Sequence, residues 1–226
     1  PVCSATTSTS VDVTWTEPNT NGQPIDLYEV DINSSGPISS GTTEAHSFTA
    51  LLPATAFTII ARARNSVGTS AYSSPVVCTT DDDVPAPPAP PTCGTLLATS
   101  IAVHWLEPVN NGQPILNYEL NVVGVSSLSV GNVLTETTAG LVPDTDYDFR
   151  VSADNSEGSS EWSNTVTCRT ADSVPDAPAM PVCVSTTYDS VTISWTSPTD
   201  NGQPVINFEI LLDSFSIGNT ASLTFT

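Results

Sequence analysis

Apolar residues alternate with polar ones along most of this chain. Val11, Val13 and Trp15 are separated by Asp12 and Thr14, and Tyr28, Val30 and Ile32 by Glu29 and Asp31. Phe57, Ile59, Ala61 and Ala63 alternate with Thr58, Ile60, Arg62 and Arg64. A period of two puts successive side chains on opposite faces of an extended backbone, so each segment predicts a strand with one buried and one wet face, Ile60 being the apolar exception on the outer one. No stretch repeats its apolar positions at helical spacing. Turn formers punctuate the strands at Asn21-Gly22, Ser35-Gly36-Pro37 and Asn65-Ser66-Val67-Gly68, which predicts an all-β, antiparallel sandwich.

The pattern recurs. Cys3, Cys93 and Cys183 are spaced by 90 residues, as are Trp15, Trp105 and Trp195 and the three Asn-Gly-Gln-Pro tetrapeptides that begin at Asn21, Asn111 and Asn201. A repeat this long suits a self-contained small domain rather than a solenoid. In a chain of 226 residues it predicts two full units and about half of a third. Between units the composition shifts to closely spaced prolines, which fix φ and favour extended polyproline II. The expected division is unit 1 over 1–83, a linker over 84–91, unit 2 over 92–172, a linker over 173–181 and a partial unit 3 over 182–226. Each linker is expected to act as a short semi-rigid spacer in a beaded rod.

Within the units the order of motifs resembles the fibronectin type III domain. The matching features are a Trp in an early strand, a Pro three residues on, then Asn-Gly-x-Pro-Ile and a Tyr. They continue with Leu51-x-Pro53-x-Thr55-x-Phe57, then Ala63-x-Asn65-x-x-Gly68-x-Ser70-x-Tyr72-Ser73. Unit 2 repeats the second half as Leu141-x-Pro143-x-Thr145-x-Tyr147 and Ala153-x-Asn155-x-x-Gly158-x-Ser160-x-Trp162-Ser163. The resemblance implies tandem seven-stranded sandwiches of two sheets, A-B-E and C-C′-F-G. It implies core positions at Trp15, Trp105, Trp195, Tyr28, Tyr118 and Phe208. The family's corner tyrosine falls at Tyr147 in unit 2 but at Phe57 in unit 1, which lacks the hydroxyl that ties the corner to the backbone.

The family layout also gives the five cysteines a reading. Cys3 with Cys78 and Cys93 with Cys168 fall on the first and last strands of their units, each pair 75 residues apart, at inward-facing positions where a disulfide would link the two sheets. The partner of Cys183 would lie beyond position 226. Buried free thiols are the other reading, since most domains of this family lack the bridge. Disulfides would place the protein outside the cytosol, extracellular or on the cell surface.

Charge narrows the function. With 24 Asp and Glu against 4 Arg and no Lys, the formal charge is −20, which excludes phosphate-backbone binding and polybasic adhesion to anionic lipid. No apolar run approaches a membrane span, so direct insertion is not expected. Lysine chemistry is absent, His46 and His104 lie in different units, and neither a metal-ligand spacing nor a phosphate loop nor a nucleophile elbow occurs. The chain reads as no enzyme and as needing no cofactor. The charge is expected to act as a solubilising coat whose beads repel one another.

Four features carry two readings each. The loop residues Asn21, Gly22, Asn111, Gly112, Asn201 and Gly202 either touch the preceding unit or a partner, or are simply turn formers. Asp81, Asp82 and Asp83 are candidate Ca²⁺ ligands or a solvated acidic linker; the matching stretch of the next junction, Ala171-Asp172-Ser173, does not repeat the cluster. Asn33 heads the sequon Asn33-Ser34-Ser35, a candidate glycosylation site. Arg62 and Arg64 are expected to face Glu29 and Asp31 across strands, and Arg150 to face Glu119.

Unit 3 ends in what should be strand E, which reads as a fragment of a longer array or as a site for strands from another chain. The function expected is a non-catalytic structural or adhesive spacer of an extracellular array, making protein contacts. The alternative is a receptor-type or enzyme-appended module that recognises one protein or glycan.

Overall fold

The computed structural model describes residues 1–226, in which twenty strands and no helix are found. Unit 1 contains β1 (Val2–Thr6), β2 (Ser10–Thr14), β3 (Ile25–Ile32), β4 (Ile38–Gly41), β5 (Ala45–Thr49), β6 (Ala56–Asn65) and β7 (Val76–Thr79). They form two antiparallel sheets, β1-β2-β5 and β4-β3-β6-β7. The alternation sets the faces. Val11, Val13, Val30 and Ile59 are fully buried between the sheets, each contributing roughly 1.5–3 kcal/mol of burial.

Unit 2 repeats the plan with β8 (Thr92–Leu97), β9 (Ser100–His104), β10 (Asn117–Val122), β11 (Ser126–Gly131), β12 (Thr135–Ala139), β13 (Asp146–Asn155), a short β14 (Gly158–Ser159) and β15 (Val166–Arg169). Its sheets are β12-β9-β8 and β11-β10-β13, with β14 and β15 both on β13. Its core is the larger, 12 buried residues against 8 in unit 1. Trp105 is buried where Trp15 is only half-buried. In both, the Trp ring meets the Tyr of the next strand edge-on or tilted, centroids 5.5 Å apart for Trp15 and Tyr28 and 5.7 Å for Trp105 and Tyr118.

Unit 3 has β16 (Val182–Thr186), β17 (Val191–Ser194), β18 (Phe208–Leu212), β19 (Phe215–Thr220) and β20 (Thr224–Phe225), paired as β16-β17-β20 and β18-β19. Trp195 is buried against Phe208, whose ring lies 5.3 Å away, but Leu211 and Leu212 are exposed.

Disulfides join Cys3 to Cys78 and Cys93 to Cys168, each with Cα atoms 5.8 Å apart. They connect the edge strands β1 and β7, or β8 and β15, and so close one open side of each sandwich. The geometry differs from the inward-facing expectation in one respect: Cys78 and Cys168 are buried, whereas Cys3 and Cys93 are exposed beside bulges in β1 and β8. An edge cysteine reaches its partner across the rim of the sheets rather than through the core. Cys183 is a free, exposed thiol.

The corner differs between units as the side chains dictate. The Tyr147 hydroxyl accepts the Val142 N–H at 2.9 Å, and Phe57 has no oxygen to offer the equivalent Leu52.

Candidate functional site

The features that concentrate polar chemistry lie at the junctions between units. Each begins at the exit strand. After β7, the Thr80 hydroxyl donates to the Leu52 carbonyl at 2.7 Å and accepts the Thr55 N–H at 3.0 Å, and Thr170 does the same with Val142 and Thr145. A buried hydroxyl thus welds the end of the last strand to the preceding turn. Asp81 is still held by unit 1: its N–H donates to Thr7, its carbonyl accepts from Ala54, and its carboxylate accepts the Thr6 hydroxyl.

From the next residue onward the chain belongs to unit 2. The Gln113 side-chain amide donates to the Asp82 carboxylate. Asp83 N–H donates to the Asn111 carbonyl at 3.0 Å, the Asn111 side-chain amide donates to the Val84 carbonyl at 2.7 Å, and Ala86 N–H donates to Val109 at 2.9 Å. Pro85, which has no N–H to satisfy, sits between these donors. From the other side the Asn155 amide donates to Asp83 and Asn110 carbonyls at 2.8 and 3.0 Å, while Val84 packs beside Gly158. The loop needs its glycine twice over. Gly112 has φ +103°, and a Cβ there would collide with the Asp82 carboxylate and the Ala54 methyl of unit 1.

The second junction repeats the contacts of the tetrapeptide loop. Gln203 donates to the Asp172 carboxylate, Ser173 N–H to Asn201 at 2.9 Å, Asn201 to Val174 at 2.8 Å and Asp176 N–H to Thr199 at 3.0 Å. Gly202 abuts Asp172 and Asp144 as Gly112 abuts Asp82 and Ala54. Arg169 adds a clamp on that turn, its guanidinium 2.6 Å from Asp144 and 3.1 Å from Asp146, and the hydrogen bonds it donates to these carboxylates raise its pKa.

Of the six loop residues, Asn111-Gly112 and Asn201-Gly202 each grip the segment that leads into their unit, and Asn21-Gly22 adopts the same turn, where a Cβ on Gly22 would meet nothing within 4 Å. Both readings of the tetrapeptide hold together: the turn is intrinsic, with Asn21, Asn111 and Asn201 all at positive φ, and it is also what grips the neighbour.

The prolines of 84–91 are not a spacer held clear of both units. Pro85, Pro88 and Pro91 are buried, and their spacing of three matches the three-residue turn of polyproline II, which puts them on one face. The corresponding Pro175, Pro178 and Pro181 are exposed beside the thinner unit 3.

Several expected contacts resolve differently. Asp81, Asp82 and Asp83 turn to separate partners, Thr6, Gln113 and the Val84 N–H, and no group of three metal-ligating side chains forms anywhere. The acidic feature that repeats is the single residue Asp82, matched by Asp172. Arg62 meets Glu29 at 2.6 Å and lies 4.6 Å from the Tyr72 ring centre, but Arg64 sits opposite Leu27 and Asp31 is buried, accepting the Gly36 N–H at 3.2 Å. Arg150 stands opposite Asn121 rather than Glu119, donating to it at 2.9 Å and stacking over Trp162. Asn33 lies exposed in the turn after β3, its carbonyl oxygen accepting the Thr58 N–H at 2.8 Å. His46 packs edge-on against Phe48, and His104 is exposed. Burial raises the pKa of the Tyr28 phenol, with Glu44 and Glu17 adding to it, and raises that of Tyr118, with Glu107 adding.

The sequence motifs contain Asn155, Gln113 and Asp82 but do not pair them with one another across the junction. A signal existed: Asp-x-Val-Pro-x-x-Pro occurs at Asp82–Pro88 and again at Asp172–Pro178, 90 residues on.

Comparison with known proteins agrees with this architecture. The family model "Fibronectin type III domain" matches residues 1–79 and 86–169. Relatives include fibronectin type-III domain-containing protein 3A of Mus musculus, 27% identical over 214 residues, covering 86% of this chain and 17% of that protein. Receptor-type tyrosine-protein phosphatase S of Gallus gallus is 29% identical over 93% of this chain and 15% of its own length. Usherin of Homo sapiens is 31% identical over 93% of this chain and 4% of its own length. The chain thus spans a small fraction of each relative. Among solved structures, the chicken CNTN1 FN1-FN3 domains share the fold with a TM-score of 0.54 at 18% identity, over 86% of this chain and 73% of theirs. With that match across most of its length, the chain belongs to the fibronectin type III family, its sandwiches set in tandem.

Proposed function

We propose that the chain is a non-catalytic spacer of an extracellular or cell-surface protein. It holds successive sandwiches in a fixed relation and offers their faces and loops to protein partners. The observation that carries this reading is the junction itself, built twice from the same donors and acceptors with no unbonded residue between Asp81 on one unit and Asp82 on the next. The two disulfides fit an oxidising compartment. A second reading, a module of a receptor-type protein, is supported by the similarity to receptor-type tyrosine-protein phosphatase S over nearly the whole chain.

Small-angle scattering tests the spacer. A stiff rod keeps one maximum dimension from low to high salt, and the Asn111→Ala/Gln113→Ala variant shows a broader distribution of dimensions. A wild-type profile that already needs an ensemble of bent forms would overturn it. Asn33 is proposed as a glycan acceptor, checked by the mass lost when the secreted protein is treated with an amidase that removes N-glycans.

A further inference from the structure

At both junctions the asparagine that grips the linker is followed directly by glycine, as Asn111-Gly112 and Asn201-Gly202. That pair is chemically labile. With no side chain on the second residue to hinder the approach, its backbone nitrogen can reach the asparagine Cγ and displace the amide as ammonia. The docked junction opposes this. The Gly112 N–H donates to the Asn110 Oδ1 at 3.1 Å, and the Gly202 N–H to the Asp200 Oδ1 at 3.3 Å. The Asn111 amide is held on the Val84 carbonyl at 2.7 Å and its own carbonyl on the Asp83 N–H at 3.0 Å. The Asn201 amide is held on the Val174 carbonyl at 2.8 Å. Closing a ring between Asn111 and Gly112 requires their backbone to leave the left-handed turn, where φ is 54° and 103°. Gly112 is not free to swing while it lies against Asp82 and the Ala54 methyl.

We propose that Asn111 and Asn201 are modification sites protected by docking, whose conversion to aspartate or isoaspartate unlocks the junction irreversibly. At the first junction the Gly112 nitrogen, giving its proton to solvent base, bonds to Asn111 Cγ. The C–N bond of the side-chain amide breaks, the nitrogen leaves as ammonia after taking up a proton, and a cyclic imide closes. Water then opens the imide at one of its carbonyls, giving aspartate or, where the chain now runs through Cγ, isoaspartate. Nothing is oxidised or reduced, and water is the only co-reactant.

Neither product can rebuild the joint. A carboxylate in place of the Asn111 amide sets an acceptor against the Val84 carbonyl, which loses its donor. It also adds a negative charge beside the Asp82 carboxylate that packs on Gly112. Isoaspartate further lengthens the backbone and displaces the carbonyl that accepts the Asp83 N–H. The reaction runs one way, so it records the time the joint has spent open.

The test incubates the full chain at mildly alkaline pH, digests it, and resolves the peptides around residues 111 and 201 by mass spectrometry and chromatography into asparagine, aspartate and isoaspartate forms. Asp82→Ala/Asn155→Ala removes contacts of the docked segment and leaves the dipeptide intact. It should speed conversion at Asn111 by about tenfold, equivalent to 1.4 kcal/mol of easier opening. Asn201 in the same protein should keep its wild-type rate, which separates local opening from unfolding of the whole chain. Asp82→Ala alone, outside every strand of unit 2, should act in the same direction and covers the case in which the double variant unfolds that unit. Equal rates at Asn111 in the wild type and both variants would overturn the proposal. Chain converted at Asn111, separated by anion exchange on its added charge, should show the broader distribution of dimensions in small-angle scattering. The proposal rests on the stiff junction of the spacer reading. A fresh chain that already scatters as an ensemble of bent forms refutes that reading and the switch with it, whereas a fresh stiff chain that stays stiff after conversion refutes the switch alone.

Discussion

Units 1 and 2 share the seven-strand plan, the bridge and the tetrapeptide, but they differ in how deeply the Trp beside that loop and the core around it are buried. In unit 2 the incoming segment buries Pro85, Pro88, Pro91 and Asn155, Trp105 is 4% exposed, and the core cluster has 12 residues. In unit 1 Trp15 and Asn65 are half-buried, and the cluster has 8 residues. In unit 2 the docked exit segment therefore forms part of what covers the sandwich. Its junction is part of its core rather than a tether beside it.

The bridges should not distinguish the two units. Each encloses 75 residues of separation, worth about 4 kcal/mol in the chain-entropy model. Cys3→Ser/Cys78→Ser and Cys93→Ser/Cys168→Ser should therefore lower the urea-unfolding free energy of their own units by similar amounts. A loss several-fold larger in one unit would place the asymmetry in the bridge instead of the core.

Glycine substitutions should separate the units. Gly22→Ala faces open space and is expected to cost about 1–2 kcal/mol, the price of a left-handed backbone for an L-residue. Gly112→Ala carries the same strain and also drives a methyl into Asp82 and Ala54, adding about 1–3 kcal/mol of overpacking. Thermal unfolding measures both. Amide exchange at Asp83 and Ala86 should accelerate only in the second variant.

Asparagine truncation sharpens the contrast at one side chain. Asn155→Ala removes the two hydrogen bonds that this buried amide donates to the Asp83 and Asn110 carbonyls and should cost about 2 kcal/mol. Asn65→Ala loses the same kind of turn bonds, from Val67 and Gly68 to its side-chain oxygen, but its amide makes only a 3.5 Å contact to Thr20, so it should cost less than Asn155→Ala in the same urea series.

The smallest effect is at the corner. Tyr147→Phe should lose about 1 kcal/mol and Phe57→Tyr should gain up to as much, if the new hydroxyl accepts the Leu52 N–H. Equal stabilities of the wild type and the two variants would show that water serves the corner as well as the phenol does.

Much of this was legible in the sequence, and for physical reasons. Period-two alternation at Val11, Val13, Val30 and Ile59 fixes which face is buried, and the 90-residue register carries that reading from unit to unit. The corner followed from a single oxygen. Cross-strand partners were less legible because they depend on register: the antiparallel pairing that sets Arg62 opposite Glu29 also sets Arg64 opposite Leu27 and Asp31 opposite Ile60, and Arg150 stands two residues before the position that faces Glu119. The junction was the least legible part. Three consecutive aspartates suggested one cluster, whereas their backbone hands Asp81 to one unit and Asp82 and Asp83 to the other. Composition shows charge density, but only the paired backbone shows that these carboxylates diverge. The prolines likewise announced an extended segment without announcing the surface on which it lies.

The central claim is that the docked exit segment makes units 1 and 2 one rigid body. Residual dipolar couplings of the full chain in dilute liquid-crystalline medium test it directly. A single alignment tensor should fit the amides of 1–81 and 92–170 together, and Gly112→Ala should split the fit into two tensors of unequal magnitude. Two unequal tensors in the wild-type protein would contradict the claim.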